Sequence, residues 1–217
     1  FSDESTLQSN ANSALTIQSD MGSVELTAGQ TLQASSISIQ AAGKLIAKDL
    51  GLLSGSDITL SGEGLDLRDT SFAGLTESAL AGTLTLKASA SSLDLTQTHG
   101  FNAGNLTISA QGDIAFAEKE TLNAAQDLRV ESTAGSVVLE NGSIQASQLI
   151  RLAAMGGDLD LMGTNTADDT ITLTAGTVSL QALQELVMGE AKAQFTAQSG
   201  TLTVKAGSLS LAAGSSL

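Results

Sequence analysis

The chain has 217 residues, with 23 acidic side chains against 9 basic ones and a formal net charge of −14. That excess of negative charge argues against nucleic acid or an anionic lipid surface as a partner, because like charges repel. Cys, Pro, Trp and Tyr are absent, which removes disulfides, thiol catalysis and cysteine metal sites. An apolar content of 41% separates the chain from disordered acidic tails and supplies a real core.

Residues 1–14 are polar and irregular, and are expected to be frayed or a partial coil. No apolar run approaches the roughly 18 residues of a membrane span, and no signal-peptide pattern is present. The chain opens at Phe1 and closes at Leu217 inside a repeating pattern, so a piece of a longer protein is expected.

From Leu15 onward an apolar–polar–apolar triplet recurs, the period-two mark of a strand with one buried face. One series of triplets begins at Leu15, Ile37, Ile58, Leu84, Leu106, Leu128, Ile150, Ile171 and Phe195. A second begins at Val24, Leu45, Leu65, Leu93, Ile114, Val137, Leu159, Val178 and Leu202. A weaker third passes through Leu32, Leu53, Phe101, Leu122, Ile144, Thr166, Leu186 and Leu209. Most steps are close to 22 residues. Three short strands per repeat, held in phase, predict an all-β chain over 15–217. The fold is a right-handed parallel β-helix, a three-faced solenoid of about nine coils of ~22 residues. An antiparallel sandwich does not explain three phases that persist so long. Glycines between the triplets, at Gly29, Gly43, Gly112, Gly135, Gly157 and Gly176, are expected to make tight turns at positive φ.

Two places break the register. The step from Leu65 to Leu93 carries about six extra residues, which places an insertion at 68–82. Insertions in solenoids form loops on one face and often carry function. Phe72, Leu75 and Leu80 lack obvious ladder partners there. Arg68, Asp69, Phe72, Leu75, Glu77 and Leu80 are therefore the candidate partner-contact residues. The second break, Gln181 to Phe195, has helix-forming residues but reads better as strand, with Leu186 and Met188 inward.

Catalytic chemistry finds little support. The one histidine, His99, precedes Gly100 about 70 residues before the Asp168-Asp169 pair. A polygalacturonase-like site uses the reverse order and a basic strand motif that is missing here. Asp158 and Asp160 alternate around Leu159 and are expected to point into water, whereas a glycosidase needs one carboxyl of raised pKa. No Trp or Tyr offers a sugar platform. Gly156-Gly157-Asp158-Leu159-Asp160 approaches a calcium-roll motif once, without its third glycine. Threonines at Thr16, Thr59, Thr85, Thr107, Thr172 and Thr203 form a broken outward ladder, as exposed strand residues do. No catalytic, metal or cofactor site is assigned. The alternative reading is a carbohydrate-active β-helix enzyme using Asp168, Asp169 and His99.

Gly112-Asp113-Ile114-Ala115-Phe116, Gly157-Asp158-Leu159-Asp160-Leu161 and Gly55-Ser56-Asp57-Ile58-Thr59-Leu60, with Leu173-Thr174-Ala175-Gly176 and Val204-Lys205-Ala206-Gly207 endings, resemble the haemagglutinin repeats of filamentous haemagglutinin. The resemblance covers about residues 15–217. That family consists of giant bacterial exoproteins exported by two-partner secretion, including adhesins and contact-dependent growth inhibition effectors. The resemblance implies a non-catalytic rod segment, secreted or at the bacterial cell surface. It would act as a stiff spacer, with adhesion or receptor binding during growth inhibition as a further role. The implied partners are a bacterial or host cell-surface receptor and the outer-membrane two-partner-secretion transporter. The open ends of an isolated segment are expected to favour end-to-end self-association.

Overall fold

A computed structural model describes residues 6–8, 13–26, 29–75, 79–140, 142–161, 170–188 and 192–211. Among these residues there is no helix, so none is long and apolar enough to cross a membrane. Every paired strand runs parallel to its neighbour. The chain is a parallel β-solenoid of three faces and about eight turns, roughly 22 residues apart. At about 4.8 Å per turn the rod is roughly 40 Å long.

The first face is the longest. Its core-lining triplets stack as Leu15, Ile37, Ile58, Leu84, Leu106, Leu128, Ile150, Val178 and Leu202. Residues alternate inward and outward along each strand, so Ile39, Leu60, Leu86, Ile108, Val130, Leu152 and Leu180 form a second aliphatic column beside the first. The second face stacks Val24, Leu45 and Leu65, then Leu93, Ile114, Val137, Leu159, Leu186 and Leu209. The third stacks Leu32, Leu52 and Phe72, then continues from Phe101 through Leu122, Ile144, Leu173 and Phe195. No coil could bury these residues alone, but stacking gives one continuous core. Leu15 and Ile17 at one end, and Leu202 and Val204 at the other, are only partly covered.

Several sequence expectations need correction. The third-face residue is Leu52 rather than Leu53, which lies half-buried on the outward side. Past residue 161 the three series exchange faces. Ile171 and Phe195 start triplets near or on the third face, Val178 and Leu202 belong to the first, and Leu186 and Leu209 to the second. The cause is a second long coil: Ile144 is registered with Leu173, a step of 29 residues. Its excess falls between Leu161 and Thr170, around Thr166, Asp168 and Asp169, which lie outside the described residues.

The insertion at 68–82 is also narrower than its sequence bounds. Ser71–Gly74 is a regular third-face strand paired with Leu50–Ser54. The extra length falls between Gly74 and Leu84, which rejoins the first face opposite Ile58, and residues 76–78 within it lie outside the described residues. The region 181–195 holds no helix among its described residues: it is strand at the end of Thr177–Ala182, at Glu185–Met188 and at Lys192–Ala197, with a bend at 183–184, and both Leu186 and Met188 are buried. Thr6–Gln8, inside the segment expected to be frayed or a partial coil, pairs with Gln30–Ala34.

Candidate functional site

The six sequence-predicted contact residues divide by environment. Phe72 and Leu80 are 2% exposed. Phe72 stacks on Leu52 and lies 6.1 Å, ring to ring, from Phe101, and Leu80 is registered with Ala103. Both side chains are core, because the long coil has its own third-face strand to present them inward. They offer no surface to a partner. Glu77 lies outside the described residues. Leu75 is half-buried beside Gly55, and its N–H donates to the Ser54 carbonyl at 3.0 Å.

Arg68 and Asp69 are exposed at the corner between the second and third faces. Arg68 clamps Asp66 with two bonds, Nε to Oδ1 and Nη2 to Oδ2, both 2.9 Å. Lys48, one coil below Arg68, reaches the same carboxylate at 3.0 Å. The Arg68 hydrogen bond, then Lys48, outweighs partial burial and holds the Asp66 carboxyl at about 2. The same contact raises the pKa of Arg68. A cation whose donors are already taken by a neighbour is poorly placed to seize another anion. Asp69 has φ 57°, and its N–H donates to the Gln97 carbonyl at 2.7 Å. Gly29, Asp49 and Lys119 take the same left-handed turn at this corner, with φ of 59°, 52° and 62°. Asp69 is thus one rung of a repeated turn.

His99 follows buried Thr98 and is bridged to Ser71. Its Nδ1 lies 3.4 Å from Glu120 Oε2, an ion pair only when the imidazole is protonated. Gly100 has φ 90°, and a Cβ there would sit 2.6 Å from the Phe72 carbonyl oxygen. The His-Gly dipeptide therefore makes a corner that lets two coils approach. Among the described residues no three His, Asp or Glu side chains converge as a metal site.

The motif residues that carried the family resemblance have a mechanical role. Ser92 Oγ accepts the Asp113 N–H at 3.0 Å, and Asp113 Oδ1 accepts the Ser136 N–H at 2.8 Å. Ser136 Oγ then accepts the Asp158 N–H at 3.0 Å, and Asp158 Oδ1 the Glu185 N–H at 2.9 Å. Each side chain satisfies an amide of the next coil, so Asp158 does not simply point into water. The neighbouring glycines serve this ladder through space rather than φ. Of the six glycines expected to make positive-φ turns, only Gly29 does. At Gly112, Gly135 and Gly157 a Cβ would meet Ser92, Asp113 and Ser136 at 2.4, 2.5 and 2.3 Å. The spacing of Ser92, Asp113, Ser136 and Asp158, each just before a second-face strand, was the signal that could have revealed the ladder.

Charge is unevenly placed around the rod. The outward column of the first face runs Thr16, Ser38, Thr59, Thr85, Thr107, Arg129, Arg151, Ser179 and Thr203 in unbroken register. Beside it stand Lys87, Glu131 and Lys205. Arg129 is paired with Asp127 at 2.9 Å, and Arg151 lies 3.9 Å from Glu131. This face is hydroxyl-rich and mildly cationic on an acidic chain. Thr172 lies apart, on the third face.

The fold and its corner ladders define a β-solenoid repeat protein. Comparison of the chain with protein-family models, with curated proteins and with solved structures finds no match.

Proposed function

We propose that the chain is a non-catalytic rod segment of a large secreted bacterial surface exoprotein, whose task is length and stiffness. The observation behind this reading is the use made of its reactive side chains. Ser92, Asp113, Ser136 and Asp158 are spent on amides of the next coil, and Asp66 and Arg68 on each other. The haemagglutinin-repeat resemblance supports the same reading and adds export through an outer-membrane transporter. A receptor role in adhesion or growth inhibition would fall to exposed Arg68 and Asp69 and half-buried Leu75 of the 68–82 corner.

Labelled protein titrated onto intact bacterial and host cells tests this reading. A spacer gives no saturable binding. Saturable binding abolished by Arg68→Glu, with the fold intact by circular dichroism, would replace the spacer reading with receptor recognition. Excising 69–82 is the wrong variant, because it removes Thr70, Phe72 and Leu80 from the core.

A further inference from the structure

Two of the three ladders stop at one level of the rod. On the second face, Gly64–Asp66 ends a three-stranded sheet and Leu93–Leu95 begins a separate six-stranded one. On the third face, Ser71–Gly74 ends a four-stranded sheet, and among the described residues the face meets the next coil only through the Ser71–His99 bridge and, past a register shift, the Leu80–Ala103 pair. Only the first face crosses this level in full, with five registered pairs from Ile58↔Leu84 to Gly62↔Ala88.

The local cause is a count that does not match. The Ala90 N–H donates to the Glu63 carbonyl at 2.9 Å, and the Asp69 N–H to the Gln97 carbonyl at 2.7 Å. Between those anchors, Glu63 to Asp69 is one residue shorter than Ala90 to Gln97. A regular parallel ladder would make the lower span two residues longer than the upper, so the upper coil carries three extra residues here, and Leu65 and Leu93 have no ladder register. The interior changes at the same level. Phe72 and Phe101 stack across it with ring centroids 6.1 Å apart, and Phe116 of the next coil extends the stack at 5.7 Å. Buried Thr98 supplies a substitute bond across this level, to the Leu67 carbonyl at 2.9 Å.

We infer that the solenoid consists of two cooperative blocks joined at a built-in hinge, where Gly64–Asp66 faces Leu93–Leu95. The rod bends and first opens there, with the first face as the strap. Parallel ladders resist bending because each turn is bonded on three sides; here, among the described residues, the second face has bonds only at its two ends, and the third only the Ser71–His99 bridge, the His99 N–H bond to Thr70 and the Leu80–Ala103 pair. Local opening follows the fewest backbone bonds to break. This inference does not depend on what the rod carries, and it confines the stiffness proposed above to each of the two blocks.

Hydrogen exchange on the intact chain tests it. Amides in 63–69 and 90–97 are expected to exchange together, about tenfold faster than those of 105–110 and 127–132. A staple supplies the second arm. A Cβ on Gly64 would lie 3.8 Å from Ser91 Cβ, the spacing of a disulfide, and the chain has no other cysteine. In the Gly64→Cys/Ser91→Cys variant, oxidation should slow exchange in both segments by about tenfold, and reduction should restore it. Uniform protection along the wild-type rod would overturn the hinge. So would exchange in the two segments that oxidation leaves unchanged.

Discussion

The Asp113 carboxylate accepts the Ser136 N–H at 2.8 Å across one turn of the rod. Ser136 passes the same service to Asp158 at 3.0 Å. Alternating Asp and Ser along a corner satisfies amides that the strand ladders do not reach. Asp113→Ala should therefore lose about 1 kcal/mol, which lowers Tm by roughly 2–4 °C in a chain of this size. Asp113→Asn keeps an acceptor oxygen and should lose less than half of that. Thermal unfolding of both variants by circular dichroism decides. Equal loss from Asn and Ala would mean that the carboxylate charge, not the bond to Ser136, matters.

Glycines at two corners should respond differently to the same substitution. A Cβ on Gly156 would lie 2.1 Å from the Ala134 carbonyl carbon, so Gly156→Ala must push two coils apart. A loss of about 2–3 kcal/mol is expected. Gly29 has φ 59° and nothing within 4 Å of a Cβ, so Gly29→Ala meets only the backbone penalty, about 1 kcal/mol. Gly29→Asn should be closer to neutral, as Asp49 and Asp69 occupy the equivalent turn without strain to the fold. Urea midpoints of the three variants give the ranking. If Gly29→Ala were the most damaging, coil spacing would not be what selects glycine at these corners.

Phe101 is the middle member of the only aromatic stack among the described residues, tilted against Phe72 and edge-on to Phe116. It is 1% exposed. Phe101→Ala leaves a cavity at the level where two ladders are already interrupted, so little remains nearby to collapse inward. A loss of about 3–5 kcal/mol is expected. Phe101→Leu restores most of the volume and should lose about 1–1.5 kcal/mol. A small effect from Phe101→Ala, read by denaturant unfolding, would show that the stack is not packed as described.

The triplet pattern made the solenoid legible because its period of two and its spacing near 22 are both demanded by stacking. What it could not show is which face a triplet occupies. Leu-Thr-Leu at 84–86 on the first face, Leu-Asp-Leu at 93–95 on the second and Ile-Thr-Leu at 171–173 on the third carry the same signal. A coil with seven extra residues between Leu161 and Thr170 therefore shifts the pattern by one face without breaking it. The long coil at 72–101 was visible as excess length, but its Ser71–Gly74 strand was not, since Phe72 is the one apolar residue inward on that short run. The Asp66–Arg68 clamp was hidden for a different reason. Residues two apart on a strand share a face, but whether they bind each other or a partner depends on rotamers the sequence does not state.

That clamp has a pH signature. Asp66 has a folded pKa of about 2 against an ordinary 3.8, first because Arg68 hydrogen-bonds its carboxylate and then because Lys48 does, with partial burial opposing. A carboxyl depressed in the fold favours folding while it is ionised. Its contribution is complete above about pH 4 and drains away as pH falls through the folded value. Glu140 works in the opposite sense. Burial raises its pKa first, then repulsion from Asp160 and Glu118. Its charge therefore opposes folding at neutral pH, and protonation relieves the opposition. Asp66→Asn should lower Tm at pH 7 by an amount that shrinks below about pH 4, while Glu140→Gln should raise Tm at pH 7 with a gain that also fades in acid. Thermal melts of both variants from pH 7 to pH 2 check the signs. An Asp66→Asn difference that stays constant to pH 2 would mean that Arg68 and Lys48 do not hold the carboxylate in solution, and would leave Arg68 free for a partner.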